Sequence, residues 1–218
     1  MSALIDLKDI EKKAFRAAYQ DGLLDINIGG IVLSMSTLEY SFISDAGPLL
    51  RFGLLVAGLT LSSLIFWGGK KYLTIPRLGQ VKFGPRRQKR SLIMACILAG
   101  IVLLQVIFLV GTILLRSHPE WTTSLGLQTS NRDLERMMVA LIAALFVGPS
   151  MTLIAYFTDF LRGYYIAFIL SLAAFSLVWF GQPAYFTIAG LIILVPGVVL
   201  FVRFLREHPL PPTEPSHD

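Results

Sequence analysis

Six apolar runs, set apart by brief polar punctuation and one long basic interruption, lay out this chain. They cover residues 23–42, 49–67, 92–115, 137–157, 163–180 and 184–204. Each is 18 to 24 residues long. About 20 residues at ~1.5 Å rise per residue cross a hydrocarbon core of ~30 Å, so runs of this length predict bilayer-spanning helices. The expected fold is an all-α integral membrane protein with six transmembrane helices over residues 23–205. The first run is the most polar, with Asp25, Asn27, Gly29, Gly30, Ser34, Ser36, Thr37 and Glu39. Such a helix has to be shielded by its neighbours, or else be a re-entrant piece.

Ahead of the first run the periodicity changes. Over residues 3–21, Leu4, Leu7, Ile10, Ala14, Ala17 and Ala18 share one face at 100° per residue. Lys8, Asp9, Lys12, Lys13, Arg16 and Gln20 share the other, with Glu11 intruding on the apolar side. This predicts an amphipathic interfacial helix over residues 1–22 that lies in the headgroup plane, with Gly22 as the break after it. Charges stand where the apolar core of a signal peptide would sit, so no cleavable leader is expected. At the other end, residues 206–218 carry the proline-rich stretch PLPPTEPSHD and predict a disordered tail.

Composition agrees with a membrane class. Of 218 residues, 55% are apolar and 15% charged, against about 25% charged in an ordinary soluble domain. The net charge of +5 is concentrated in one place. Residues 69–90 hold eight basic side chains: Lys70, Lys71, Arg77, Lys82, Arg86, Arg87, Lys89 and Arg90. No acid lies between Asp45 and Glu120, and outside residues 69–90 there are 11 Lys/Arg against 14 Asp/Glu. Basic connectors stay on the cytoplasmic side, which predicts both termini inside. The other connectors agree, with 15 Lys/Arg on the inner side and four on the outer. Trp67, Tyr72, Tyr164 and Tyr165 fall at the inner boundary, Tyr40, Trp179 and Tyr185 at the outer, as aromatic belts do. The compact loops and the lack of a leader favour a bacterial inner membrane.

The basic stretch also carries local order. Residues 72–75 and 80–83 are short β-prone runs, and Pro76-Arg77-Leu78-Gly79 between them reads as a turn, so a cytoplasmic hairpin is expected. Its eight basic residues are the candidate surface for anionic lipid headgroups or for a cytoplasmic or membrane protein partner. A nucleic acid is not expected, because the positive charge is confined to one connector and is not spread over a folded face.

Candidate chemistry inside the membrane rests on Asp25, Asn27, Glu39, Arg51, Gln105, Asp159 and Arg162, since a charge in hydrocarbon costs about 2.5–3.5 kcal/mol even on a lenient scale. Asp25, Asp159 and Arg162 near the inner span ends and Glu39 and Arg51 near the outer suit interfacial ion pairs, Glu39 with Arg51 and Asp25 with Arg162, or gates of an ion pathway, while Asn27 and Gln105 approach the midplane. Gly148-Pro149 and Pro196-Gly197 interrupt two spans and suit either helix kinks or a substrate site. No enzyme is expected, because His118, His208 and His217 lie in connectors or tail and no catalytic or metal-binding motif is present. The single Cys96 excludes an internal disulfide, and no cofactor is expected. Gly53, Ala57 and Gly58 form a small-residue group suited to homo-oligomer contacts. The expected function is a non-catalytic accessory or regulatory membrane subunit. The alternative is a small-solute or ion transporter, or a substrate-binding membrane subunit of one.

Overall fold

A computed structural model describes residues 20–37, 47–78, 85–117 and 132–209, and every regular element among them is helical. In chain order these are α1 (Leu23–Ser36), α2 (Pro48–Gly68), a π-helical turn (Gly69–Thr74) and α3 (Ile75–Leu78). They are followed by α4 (Pro85–Ser117), α5 (Arg132–Thr158), α6 (Arg162–Phe180) and α7 (Ala184–Glu207). Four stretches are long and apolar enough to cross a membrane: Leu49–Arg77, Arg136–Thr158, Arg162–Phe180 and Ala184–Glu207. Two shorter apolar stretches, Leu23–Ser36 and Leu92–Phe108, accompany them. This is the build of a multi-pass integral membrane protein.

The expected hairpin does not form over its described half. Residues 72–78 are helical and continue α2 through the π-helical turn into α3, while residues 79–84, with Lys82, lie outside the described residues. The β-prone side chains were outweighed by an unbroken helix arriving from α2. Pro76 lies just beyond the π-helical turn, where its missing N–H removes one backbone bond without ending the helix. On the far side, α4 begins at Pro85, the position where a fixed φ is already helical. Arg86, Arg87, Lys89 and Arg90 therefore stand on the first turns of a 33-residue helix. At ~1.5 Å per residue that helix is about 50 Å long, well beyond the hydrocarbon thickness. The expected N-terminal helix (residues 1–22) and disordered tail (residues 206–218) fall mostly on residues 1–19 and 210–218, outside the described residues; residues 20–22 are not helical, and α7 runs on to Glu207 where the tail was expected to begin.

The described chain divides into two compact units, one of residues 1–83 with 186–218, the other of residues 84–185. In the first, α1 is held between α2 and α7 by small residues in matching antiparallel register. On the α7 side Gly22 meets Gly197 and Gly29 meets Gly190; on the α2 side Ser34 meets Gly58, Gly30 meets Ser62 and Leu23 meets Gly69. A Cβ on Gly29 would lie 2.7 Å from Leu194 Cβ and 2.9 Å from the Gly190 carbonyl oxygen, so the backbones touch. Close approach of this kind drives helix association where lipid offers no hydrophobic gain. Over its described part, α1, the polar first run lies against these two neighbours.

In the second unit α5 packs antiparallel on α6. Gly163 sits against Ala155, and Gly148 against Ser171, whose hydroxyl donates to the Ala144 carbonyl at 3.1 Å. The turn between them is a reverse cap. Phe160 N–H bonds Ala155 O at 2.9 Å, Asp159 N–H bonds Tyr156 O, and Asp159 holds φ 53°. That is the left-handed closing position of a Schellman motif, a conformation Asp tolerates better than most non-glycine residues.

Both proline breaks turn out to be packing points. α5 runs unbroken through Pro149 and α7 through Pro196. Ser150 donates its hydroxyl to the Phe146 carbonyl of its own helix, as Ser and Thr hydroxyls do in apolar helices. Gly197, next to Pro196, is where α7 touches Gly22 and Asp25 most closely.

A buried charged joint at one end of the first unit

The polar side chains of the first unit gather where α1 begins and α2 ends. Asp21 is fully buried. Its Oδ2 accepts from Lys70 Nζ at 2.8 Å and from Thr74 Oγ1 at 2.7 Å, and its Oδ1 accepts the Leu23 backbone N–H at 3.3 Å. Lys70 is itself mostly enclosed, with its side chain 17% exposed and its ammonium 5.9 Å from the centre of the Phe66 ring. A carboxylate removed from water is tolerable when a counter-charge and donors replace its hydration, and all three are present here.

The local backbone explains how these groups meet. Gly22 takes φ 81°, so the chain reverses tightly between Asp21 and the first turn of α1. The Asp21 carboxylate then folds back onto the amide at the start of that helix, where the dipole favours an anion. On the other side, the π-helical turn is wider than an α-turn and brings Lys70 and Thr74 together on Asp21. Single π-turns inside α-helices frequently mark functional positions. Gly69, with its missing side chain, lets this turn close on Leu23.

Other polar groups continue along α1. Asp25 is buried against Gly197. Asn27 accepts from Ser62 Oγ through both its side-chain oxygen, at 2.9 Å, and its backbone carbonyl, at 2.8 Å. Ser34 and Ser36 are buried further on, each returning its hydroxyl to a carbonyl of its own helix. Ser and Thr hydroxyls satisfied in this way cost little in an apolar setting.

The expected site residues are scattered over both units. Asp25, buried, and Asn27, half-buried, both lie along α1. Arg51 stands half-buried in the first turn of α2, and Glu39 lies outside the described residues. Gln105 is half-buried on α4; Asp159 and Arg162 flank the α5 to α6 turn, with the Arg162 guanidinium 5.4 Å from the centre of the Phe160 ring. Among the basic residues, Lys70 is turned inward. Arg77 bonds the Leu73 carbonyl at 2.9 Å, while Lys71 and Lys89 are exposed. Of the small-residue group, Gly58 is occupied by Ser34, and Gly53 and Ala57 face outward on α2.

Asp21 was missed by reading the sequence, which placed it at the close of the amphipathic helix. An Asp-Gly pair directly ahead of an apolar run was the available signal, since such a pair favours a turn whose carboxylate caps the next helix. Among the described residues no group of three or more His, Cys, Asp or Glu side chains is placed to hold a metal. The fold and these sites define a multi-pass helical membrane protein with a buried charged joint. Comparison with protein-family models, with curated proteins and with solved structures returns no match to the chain.

Proposed function

We propose that this is a non-catalytic membrane protein, an accessory or regulatory subunit that crosses the bilayer six times and rests its cationic end on anionic headgroups of the cytoplasmic leaflet. The observation that supports it is the extension of α4 past its apolar stretch Leu92–Phe108, with Arg86, Arg87, Lys89 and Arg90 on the extension. Four cations at the start of a helix oppose its dipole, and an anionic surface offsets that cost at about 1 kcal/mol per basic residue. On this reading the apolar runs at residues 23–42 and 92–115 make the two crossings beyond the four long apolar stretches, and the excess of Lys/Arg on the inner connectors orients them.

The test is native mass spectrometry of the protein released from nanodiscs made with its own membrane lipids. Anionic lipid retention is expected to fall at least tenfold when Arg86, Arg87, Lys89 and Arg90 are replaced by Gln. Unchanged retention defeats the reading. A co-released polypeptide lost in the same variant would make that partner, and not the lipid, the object of the cationic end.

A second reading, small-solute or ion transport, is favoured by the polar line from Asp21 through Asp25 and Asn27. Its check is uptake into proteoliposomes. Asp25→Asn is expected to reduce coupled uptake by tenfold or more if that carboxylate carries the coupling, and to leave only a stability change if it does not.

A further inference from the structure

We infer that the outward face of α2 and the π-helical turn, at Trp67, Lys71 and Tyr72, binds the phosphate of a single anionic phospholipid. The inference rests on the reading just given and assigns part of that lipid contact to a local site. Lys70 and Thr74 are committed to Asp21, which fixes the rotation of the turn. The adjacent Lys71 and Tyr72 are thereby turned away from Asp21 and stay exposed about one turn beyond Trp67. Trp67 is 71% exposed and Tyr72 69% exposed. The Lys71 ammonium stands 5.4 Å from the centre of the Tyr72 ring, an arrangement that holds the cation over an aromatic face while leaving its other donors available.

The position along the helix selects a lipid over a free anion. Leu64 and Leu61 are exposed on the same helix about one and two turns below Trp67, and no acid occurs in the sequence between Asp45 and Glu120. An apolar stripe leading to an indole, a phenol ring and an exposed ammonium matches, in order, an acyl chain, the glycerol level and a phosphate. A free phosphate would use only the last of these.

The test follows Trp67 fluorescence in protein with Trp121 and Trp179 replaced by Phe, reconstituted with brominated phosphatidylglycerol or brominated phosphatidylcholine. Quenching should show about a fivefold preference for the anionic lipid. Lys71→Gln should bring the two lipids to parity, and Lys71→Arg should keep the preference, which separates loss of charge from loss of fold. Equal quenching by both lipids, or a preference that survives Lys71→Gln, overturns the inference. Abolition of the preference by inorganic phosphate at constant ionic strength also overturns it, in favour of a free anion site. A preference lost only when Arg86, Arg87, Lys89 and Arg90 become Gln would refute the local site and leave the broader lipid reading standing. A preference indifferent to both sets of changes would refute both.

Discussion

Gly22→Ala is expected to destabilise the protein by about 3 kcal/mol. Two costs combine. A non-glycine residue in the left-handed region loses about 1–2 kcal/mol, and Gly22 sits there at φ 81°. The added Cβ would also run into the Gly197 carbonyl oxygen and come within 2.9 Å of the Phe201 backbone N. Both atoms belong to the backbone of α7, so no side chain can swing away, and overpacking of this kind adds about 1–3 kcal/mol. Unfolding by SDS titration, followed by circular dichroism, would measure it. Gly53→Ala is the control: the Cβ there meets nothing within 4 Å, and a change within ~0.5 kcal/mol is expected. Equal effects at the two glycines would show that α1 is not clamped against α7 at this point.

Breaking the joint from either side should be at least as damaging. Asp21→Leu leaves the Lys70 ammonium enclosed beside Phe66 without its carboxylate; Lys70→Met leaves a fully buried carboxylate with only neutral donors. Removing one partner of a buried pair costs about 3–5 kcal/mol, because the remaining charge is uncompensated. The double replacement Asp21→Leu with Lys70→Met removes both charges and should recover most of that loss. A coupling energy of about 2 kcal/mol or more in this cycle is the expected result. Additive losses would mean that the two side chains are placed together without depending on each other. Thr74→Val in the Lys70→Met background should worsen the defect further, since Thr74 Oγ1 is then the remaining side-chain donor to Oδ2.

Much of the transmembrane layout could be read from apolar run length alone, because a spanning helix satisfies its own backbone and needs no partner to be recognised. The fourth, fifth and sixth runs reappear as long apolar helices with boundaries shifted by three residues at most, while the second, expected to end at residue 67, continues to Arg77. Tertiary pairing could not be read in the same way. Asp21 and Lys70 are 49 positions apart, and their contact depends on the antiparallel register of α1 and α2, which the glycines at 30, 58 and 69 fix sterically. The expected hairpin failed over residues 72–78 for a related reason. Local β preference in Tyr72 and Thr74 is worth only a few tenths of a kcal/mol, whereas Thr74 in a helical turn reaches Asp21. Pro149 and Pro196 were legible as breaks, but their role as contact points depended on which helix lay opposite.

The placement of α1 between α2 and α7 also has a consequence for how the protein is made. Gly22 and Asp21 leave the ribosome early, while the α7 surface that covers them, around Gly197, is synthesised about 175 residues later. At ~5–20 residues per second that interval is about 10–35 s. During it the first helix has α2 on one flank and lacks the α7 backbone that later packs on Asp25 and Gly22. The insertion machinery must shelter that flank until the last helix arrives, so a chain truncated before α7 would present quality-control proteases with an uncovered first helix in the membrane.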